Sequence, residues 1–480
     1  MRLLDRLAGA VRDFGRDRRG NFGMMMAVVT PVLLLAGGYG VNVAQMVNAR
    51  SNLLNALDSA ITSTARDLTT GVITEDQARS AIEAFLIANG SGGLTDAERI
   101  TLDSLVIDKL AGTVSARASV RVDMVFPVFG HANSQTISTE SAALYSDKKI
   151  EVAMMLDVTE SMSGSKIRDL KTAASNAVEA LTRNQKQDKP RVRIALIPYS
   201  DGVNVGALAK DVVYVEKADG ADLPPPIDAT QAEIAVNLGL PANASKTRIA
   251  NESANIPDKC ATERKGADLK PDFSDAAPDA VRTRIIDGKK REYRALVNRD
   301  ERLNSCAAAV LMPLSPDAEA LKKQIGNFSV AGYTAGAIGI QWTYYMLSEK
   351  WRPAIRNAGL GDGPADADPK EVAKVAILMT DGEFNTVHVD VVGDKRQVRR
   401  QETKSRSYAE SLCERMKADG IEVFTIGFKL NSSNAKNVMK NCASKDTGSL
   451  KHYYETSSGD ELNAAFLTIA RNIEALALTQ

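Results

Sequence analysis

Between Arg19 and Arg50 the chain carries no charged residue, and residues 22–43 are mostly Met, Val, Leu, Ala and Gly. Few folds accept such a run, because about 22 helical residues at roughly 1.5 Å each cover about 33 Å, close to the hydrocarbon thickness of a bilayer. The reading is one membrane-spanning helix over residues 22–45, with Pro31, Gly37, Gly38 and Gly40 tolerated as membrane helices tolerate them. Arg6, Arg12, Arg16, Arg18 and Arg19 precede the span and few basic residues closely follow it. The positive-inside rule therefore leaves residues 1–21 in the cytoplasm and sends the bulk of the chain across the membrane. A removable signal peptide is the alternative, with Gly37, Gly38 and Ala44 as small residues near a cleavage point.

Past the span, Met46, Leu53, Leu54, Leu57, Ile61 and Ala65 keep a helical spacing, which predicts one long helix projecting from the membrane. A short helix is expected over residues 76–88. Then Val114, Ala116, Ala118, Val120, Val122, Met124 and Phe126 alternate with polar residues, the mark of a half-buried antiparallel strand. Residues 135–143 are expected to pair with it across a turn at 129–133. Residues 46–147 thus read as an extended helix on a small antiparallel sheet, a spacer between the membrane and the C-terminal part of the chain.

The 480 residues are 44% hydrophobic and 25% charged, ordinary globular composition with room for two or three domains. With 60 basic and 60 acidic residues the net charge is +0, so no global field favours nucleic acid. The charge run at 282–294 reads as solvated loop. Cys260, Cys306, Cys413 and Cys442 lack CxxC spacing and only three His accompany them, which argues against a zinc cage. Two disulfides in an oxidising compartment fit, and four cysteines allow three pairings, of which proximity along the chain favours Cys260 with Cys306 and Cys413 with Cys442. Four buried free thiols are the alternative.

From residue 148 onward, strongly apolar strand patterns at 150–156, 192–197, 372–379 and 421–428 alternate with helical ones at 167–181, 404–417 and 460–476. This predicts an α/β fold with a doubly wound, mostly parallel sheet. The first of these strands runs into Asp157-Val158-Thr159-Glu160-Ser161, and 372–379 runs into Thr380-Asp381-Gly382. Ligands in such sheets bind beyond the carboxyl ends of the strands, where both carboxylates fall. One carboxylate and two hydroxyls at alternate positions are oxygen donors of the kind hard divalent cations take. Singly, each group also fits a helix cap or a local turn. Residues 201–329 interrupt the alternation with Pro224-Pro225-Pro226, charged clusters and the first two cysteines, and read as an inserted, disulfide-closed subregion suited to partner recognition.

Two resemblances rest on these residues. Arg19-Gly20-Asn21-Phe22 before a span, with Asn48-Ala49-Arg50-Ser51-Asn52-Leu53-Leu54-Asn55-Ala56-Leu57-Asp58 after it, resembles TadE/TadG-type pilus-assembly proteins over roughly residues 15–70. Asn42 stands where those proteins usually carry Asp, and the Glu of the TadE-type cleavage pattern is absent. The Asp-x-Thr-x-Ser loop, Gly332-Tyr333-Thr334 before a helical stretch, and Thr380-Asp381-Gly382 together resemble the metal-ion-dependent adhesion site of von Willebrand factor A domains. That resemblance implies Asp157, Thr159, Ser161, Thr334 and Asp381 as ligands of Mg²⁺ or another divalent ion such as Mn²⁺ or Ca²⁺. Glu160 departs from the Gly usual in that family.

The expected function is then a single-pass protein of a bacterial inner membrane, its bulk periplasmic or at the cell surface, whose A domain at 148–480 makes ion-dependent contacts with other pilus-assembly or secretion proteins. An extracellular protein ligand, as for a surface adhesin outside a pilus system, is the alternative partner. A metal-dependent phosphohydrolase is the enzymatic alternative. It would need a second Asp two residues after the first, where Thr159 stands, and no P-loop lysine, Gly-x-Ser-x-Gly or His-Glu-x-x-His pattern occurs. No catalysis is expected.

Overall fold

A computed structural model describes residues 20–69, 72–89, 100–108, 112–126, 134–145, 148–183, 185, 190–216, 223–253, 255, 258–266, 268–286, 288–303, 306–448 and 450–479, with side chains from 24 to 474. The basic segment before residue 20 and the turn expected at 129–133 lie outside these residues. The chain divides into two compact units, 1–69 with 73–146 and 70–72 with 147–480.

In the first unit, helix α1 (Gly20–Thr69) runs unbroken through Pro31. At about 1.5 Å per residue its 50 residues extend about 75 Å. Its two parts differ in what they meet. Val28, Leu33 and Leu34 are more than 60% exposed, whereas Ala49, Leu53, Leu57, Ile61 and Ala65 are buried. The buried stripe, at helical spacing, packs on α2 (Glu75–Asn89) and on a sheet of β1 (Ile100–Asp108), β2 (Thr113–Asp123) and β3 (Ser134–Leu144). The sheet is antiparallel in the order β1-β2-β3. Val114, Ala116, Ala118, Val120 and Val122 face the helix as their alternation requires. Two features depart from the sequence reading. Pairing of β2 stops at Asp123, so Met124 and Phe126 do not continue its buried face. Strand β1 was invisible because its register shifts between Leu102 and Ser104, which breaks the apolar alternation in two.

The second unit contains β4 (Lys149–Asp157), α3 (Ser165–Thr182), β5 (Val192–Tyr199), the small strands β6 (Val203–Asn204), β7 (Val213–Val215), β8 (Cys260–Ala261), β9 (Val281–Ile286), β10 (Lys289–Arg294) and β11 (Val297–Arg299), then β12 (Met312–Ser315), α4 (Ala318–Gly326), α5 (Gly336–Tyr345), β13 (Val372–Thr380), α6 (Glu402–Ala418), β14 (Glu422–Phe428), α7 (Ser433–Cys442), β15 (Tyr453–Thr456) and α8 (Gly459–Thr479). The central sheet runs β12-β5-β4-β13-β14-β15, with β12 antiparallel to an otherwise parallel set. Numbered within the sheet by chain order this is 3-2-1-4-5-6, the doubly wound arrangement whose order reverses between its first and fourth strands. Here those strands are β4 and β13.

Alternate residues of each central strand serve opposite faces. Val152, Met154, Leu156, Ile377 and Met379 pack with α3, α4 and α8, while Ala153, Met155, Ala376 and Leu378 pack with α5, α6 and α7. Because both faces are covered, the strands read as continuous apolar runs. Cys413 on α6 is bonded to Cys442 at the end of α7, and Cys260 on β8 to Cys306, so proximity along the chain named both pairs.

The inserted stretch differs from expectation at its C-terminal end. Met312–Ser315 is the antiparallel edge strand of the central sheet, and the Pro313 that obscured it in sequence is a residue that edge strands accommodate. The charge run at 282–294 is a hairpin of β9 and β10, and Arg282, only 17% exposed, is paired with Asp272. Ile377, fully buried at the centre of the sheet, gauges this core. Ile377→Ala is expected to lower unfolding stability by about 2–5 kcal/mol in urea titrations, and a change within about 0.5 kcal/mol would contradict the packing described.

Candidate metal centre

Three neighbouring strands end on polar side chains. β4 ends on Asp157, β5 on Tyr199 and β13 on Thr380, and parallel register sets Asp157 directly opposite Tyr199. The Asp157 carboxylate, fully buried, accepts four hydrogen bonds within 3 Å from three residues. Oδ1 accepts from the Thr159 amide (2.9 Å) and Thr159 Oγ1 (2.6 Å). Oδ2 accepts from Tyr199 Oη (2.9 Å) and Thr380 Oγ1 (2.7 Å). Burial, and secondly the charge of Asp381, pushes the Asp157 carboxyl up to about 6. Burial and the adjacent Asp157 carboxylate raise the Tyr199 phenol well above its ordinary range, so it remains a donor.

The other sequence-identified residues continue from this anchor. Thr159 Oγ1 lies 2.9 Å from Ser161 Oγ, and Ser161 Oγ donates to Asp381 Oδ1 at 2.6 Å. Glu160 and Ser161 belong to one turn of 3-10 helix (Glu160–Met162), and the Glu160 amide donates to the Gly332 carbonyl at 3.1 Å. That bond brings the 332–334 loop alongside. Glu160 itself is exposed. Gly382 shows the remaining proximity: a β-carbon built there would lie 3.1 Å from Thr334 Oγ1 and 3.5 Å from Ser161 Oγ. The absent side chain leaves a cradle rimmed by hydroxyls from two loops, next to Asp381.

Four residues that sequence reasoning missed hold this cradle. Lys166 Nζ sits 2.5 Å from Asp381 Oδ2, a protein cation already on the second carboxylate. Asp201 Oδ1 accepts from the Tyr333 amide at 2.5 Å and its Oδ2 from Arg399 at 3.2 Å, while the Arg399 guanidinium lies 4.1 Å from the centre of the Tyr333 ring. Gly336 opens α5 against the Phe384 ring so closely that a β-carbon would fall 2.2 Å from it, which ties the Thr334 loop to the Asp381 loop. The signal that found Asp157 also marks Asp201, two residues past β5. Lys166 and Arg399 carry no such signal.

The inserted subregion braces these loops from behind. Arg264, fully buried, lies 4.9 Å from the centre of the Tyr345 ring on α5 and pairs with Asp272. Glu263 accepts from the His388 amide through both oxygens, each at 3.2 Å. Arg302 pairs with Asp300 and donates to the carbonyls of His388, Val391 and Gly393. Burial pushes Glu263 up to about 7 and His388 down to about 4. Of the two histidines described, His388 is enclosed in this cluster with Nε2 3.2 Å from the Asp201 carbonyl, and His452 pairs with Glu422 at 2.6 Å.

A divalent ion is tested by the donor set. Among the described residues no three His, Cys, Asp or Glu side chains come together. The centre offers two carboxylates and three hydroxyls, all oxygen, which suits Mg²⁺, Mn²⁺ or Ca²⁺ and not softer metals. The cradle at Gly382 and the charge of Asp157 and Asp381 fit such an ion.

Residues 20–67 match the model of the Tad family, described as Flp pilus-assembly TadE/G-like. No curated protein sequence matches the chain. Among solved structures the chain is similar to the vWF domain of the type V pili tip protein Mfa5 from Porphyromonas gingivalis, 12% identical over 69% of this chain and 97% of that one, with a TM-score of 0.35. It is similar to the pilus adhesin SpaC from Lactobacillus rhamnosus GG in its open conformation, 11% identical over 78% of this chain, with a TM-score of 0.34, and it spans 33% of that protein. A third is the proximal thread matrix protein 1 of the mussel byssus with a zinc-occupied MIDAS motif, 12% identical over 68% of this chain and 46% of that one, with a TM-score of 0.29. The doubly wound fold itself rests on the strand order of the central sheet.

The buried Glu263 makes stability depend on pH. Its folded value of about 7 lies above the unfolded one, so its contribution is fully present below about pH 4.5 and lost as pH rises through 7. Against Glu263→Gln, the wild-type chain is expected to lose roughly 1–3 kcal/mol between pH 5 and pH 8 in parallel urea titrations. His388, with its value depressed, acts with the opposite sign at lower pH in both proteins. Identical pH profiles would show that Glu263 ionises freely.

Proposed function

We propose that this chain is a membrane-anchored component of a Tad (Flp) pilus-assembly or secretion machine, whose exported α/β unit grips a partner protein through a divalent cation. The single observation that carries the ion-dependent part is the cradle at the switch point of the sheet, where Ser161 and Thr334 hydroxyls border the side-chain-less Gly382 beside Asp381. The pilus part rests on the family match over residues 20–67 and on the apolar helix that contains it.

Asp157, Thr159, Ser161, Thr334 and Asp381 would hold the ion, directly or through water, and Mg²⁺ is the first choice because it binds few carboxylates and retains waters. The bound ion supplies a Lewis-acidic position that a partner carboxylate can complete. The chain's own residues hold the donors in place: Tyr199 and Thr380 fix the Asp157 carboxylate, and Asp201 with Arg399 fixes the loop before Thr334. Exposed Glu160 and Tyr333 flank the cradle and select which acidic partner group approaches. The role is contact and not catalysis. The N-terminus is cytoplasmic, the helix crosses the inner membrane once, and the unit from 147 onward is exported.

Calorimetric titration of the detergent-solubilised protein with Mg²⁺ and Mn²⁺ tests the ion. Saturable binding is expected in the wild type and its loss in Asp157→Ala and in Gly382→Ala, whose methyl group would fill the cradle. Undiminished binding in both variants would overturn the site. Lys166→Met, which removes the competing ammonium from Asp381, is expected to tighten binding by about tenfold, or roughly 1.4 kcal/mol. Cells carrying Asp157→Ala are expected to lose surface pili while keeping the protein in the membrane. Normal piliation in those cells would contradict the ion-dependent assembly role.

A further inference from the structure

The end of β2 meets α1 at a height that the helix itself calibrates. Two levels are pinned. Gln45 Nε2 donates to the Asp123 carbonyl at 2.9 Å, joining polar residue to polar residue. One turn nearer the apolar end, Asn42 Nδ2 donates to the Phe126 carbonyl at 2.6 Å and Asn42 Oδ1 accepts from the Phe126 amide at 3.1 Å. An amide serves both groups, whereas a carboxylate can only accept. This gives a physical reason for Asn at 42. A turn further still, Gly38 lets the Phe126 side chain come close to the helix, since a β-carbon there would sit 3.1 Å from the Phe126 Cγ. Gly38 is about 10 Å beyond Gln45 along the helix axis.

Phe126 is thus held beside the apolar span, not below it. The ring is nevertheless 48% exposed, and Val125 is 59% exposed. On the helix at the same height, Tyr39 is 62% and Val41 46% exposed. The apolar surface of the helix therefore continues onto the strand end, while charge begins at Asp123 on the strand, level with Gln45, and at Arg50 on the helix, about 7.5 Å further from the span. Aromatic side chains at such a boundary are the pattern of the headgroup region, and an apolar element lying in that region sinks about 5–10 Å into it.

We infer that Val125 and Phe126 are inserted into the acyl–headgroup boundary of the bilayer at the C-terminal end of the span, so that the first unit is seated on the lipid surface by a second contact besides its helix. The occupant of this surface is phospholipid. This inference rests on reading α1 as membrane-spanning, and the experiment separates the two. Phe126→Trp and Val32→Trp are made in the full chain and reconstituted in phosphatidylcholine vesicles whose acyl chains are brominated either near the carbonyl or near the middle. Emission is read against the wild type, whose own Trp342 and Trp351 are fully buried.

Trp at 126 is expected to emit further to the blue than in unfolded protein and to be quenched most by the shallow bromines. Trp at 32 is expected to be quenched most by the deep ones. Quenching at 32 with none at 126 would overturn the inference and leave the span standing, pointing to a protein partner over the strand end. Absence of quenching at both positions would overturn the span, and the inference with it. Val125→Trp repeats the measurement where the neighbouring substitution disturbs folding.

Discussion

A buried carboxylate without a formal counter-charge in contact is costly, and the second unit is organised around one. Asp157 is fully buried, and four hydrogen bonds within 3 Å from two hydroxyls, a phenol and an amide offset what it loses by leaving water. Those donors come from the ends of the two strands that flank β4 and from the loop after β4. The site therefore exists only if β4, β5 and β13 lie side by side in parallel register. Removing any one donor leaves Asp157 less compensated, and removing Asp157 takes from the Tyr199 and Thr380 hydroxyls the carboxylate oxygen they share.

From that anchor the structure widens in layers. Ser161 and Asp381 are tied to each other, Lys166 balances Asp381, and Asp201 and Arg399 hold the loop before Thr334. Behind them, the subregion inserted after β5 contributes the buried Glu263, Arg264 and Arg302, which grip α5 and residues 388–393. The inserted stretch thus supports the loops of the centre. Cys260–Cys306 closes this brace, and Cys413–Cys442 links the two helices α6 and α7 on the same face of the sheet.

Much of this was legible because burial on both faces writes a strand as a continuous apolar run, and a carboxylate just past such a run is conspicuous. Asp157 and Asp381 stood out for that reason, and Asp201 carries the same mark. The hydroxyls Thr159, Ser161 and Thr334 became a set only through the adhesion-site resemblance. Strand β12 was lost in the insertion because Pro313 and four residues give little periodicity, and β1 because a register shift split its pattern. Lys166 and Arg399 could not be read from sequence, and Gly382 stood there only as part of the Thr380-Asp381-Gly382 motif: a lysine early in a helix is usually a solvated side chain, and the value of a missing β-carbon appears only when neighbouring loops converge. Phe126 reads in sequence as one more inward position of β2, and its attachment to Asn42 and Gly38, 84 and 88 residues away in sequence, is a tertiary fact.

The most direct test of the account is a crystal structure of the protein grown with Mn²⁺, with anomalous scattering recorded near the manganese edge. One dominant anomalous peak is expected in the cradle bounded by Ser161, Thr334, Gly382 and Asp381, with the Lys166 ammonium withdrawn from Asp381. A cradle without anomalous signal at saturating Mn²⁺, and Lys166 still seated on Asp381, would contradict it.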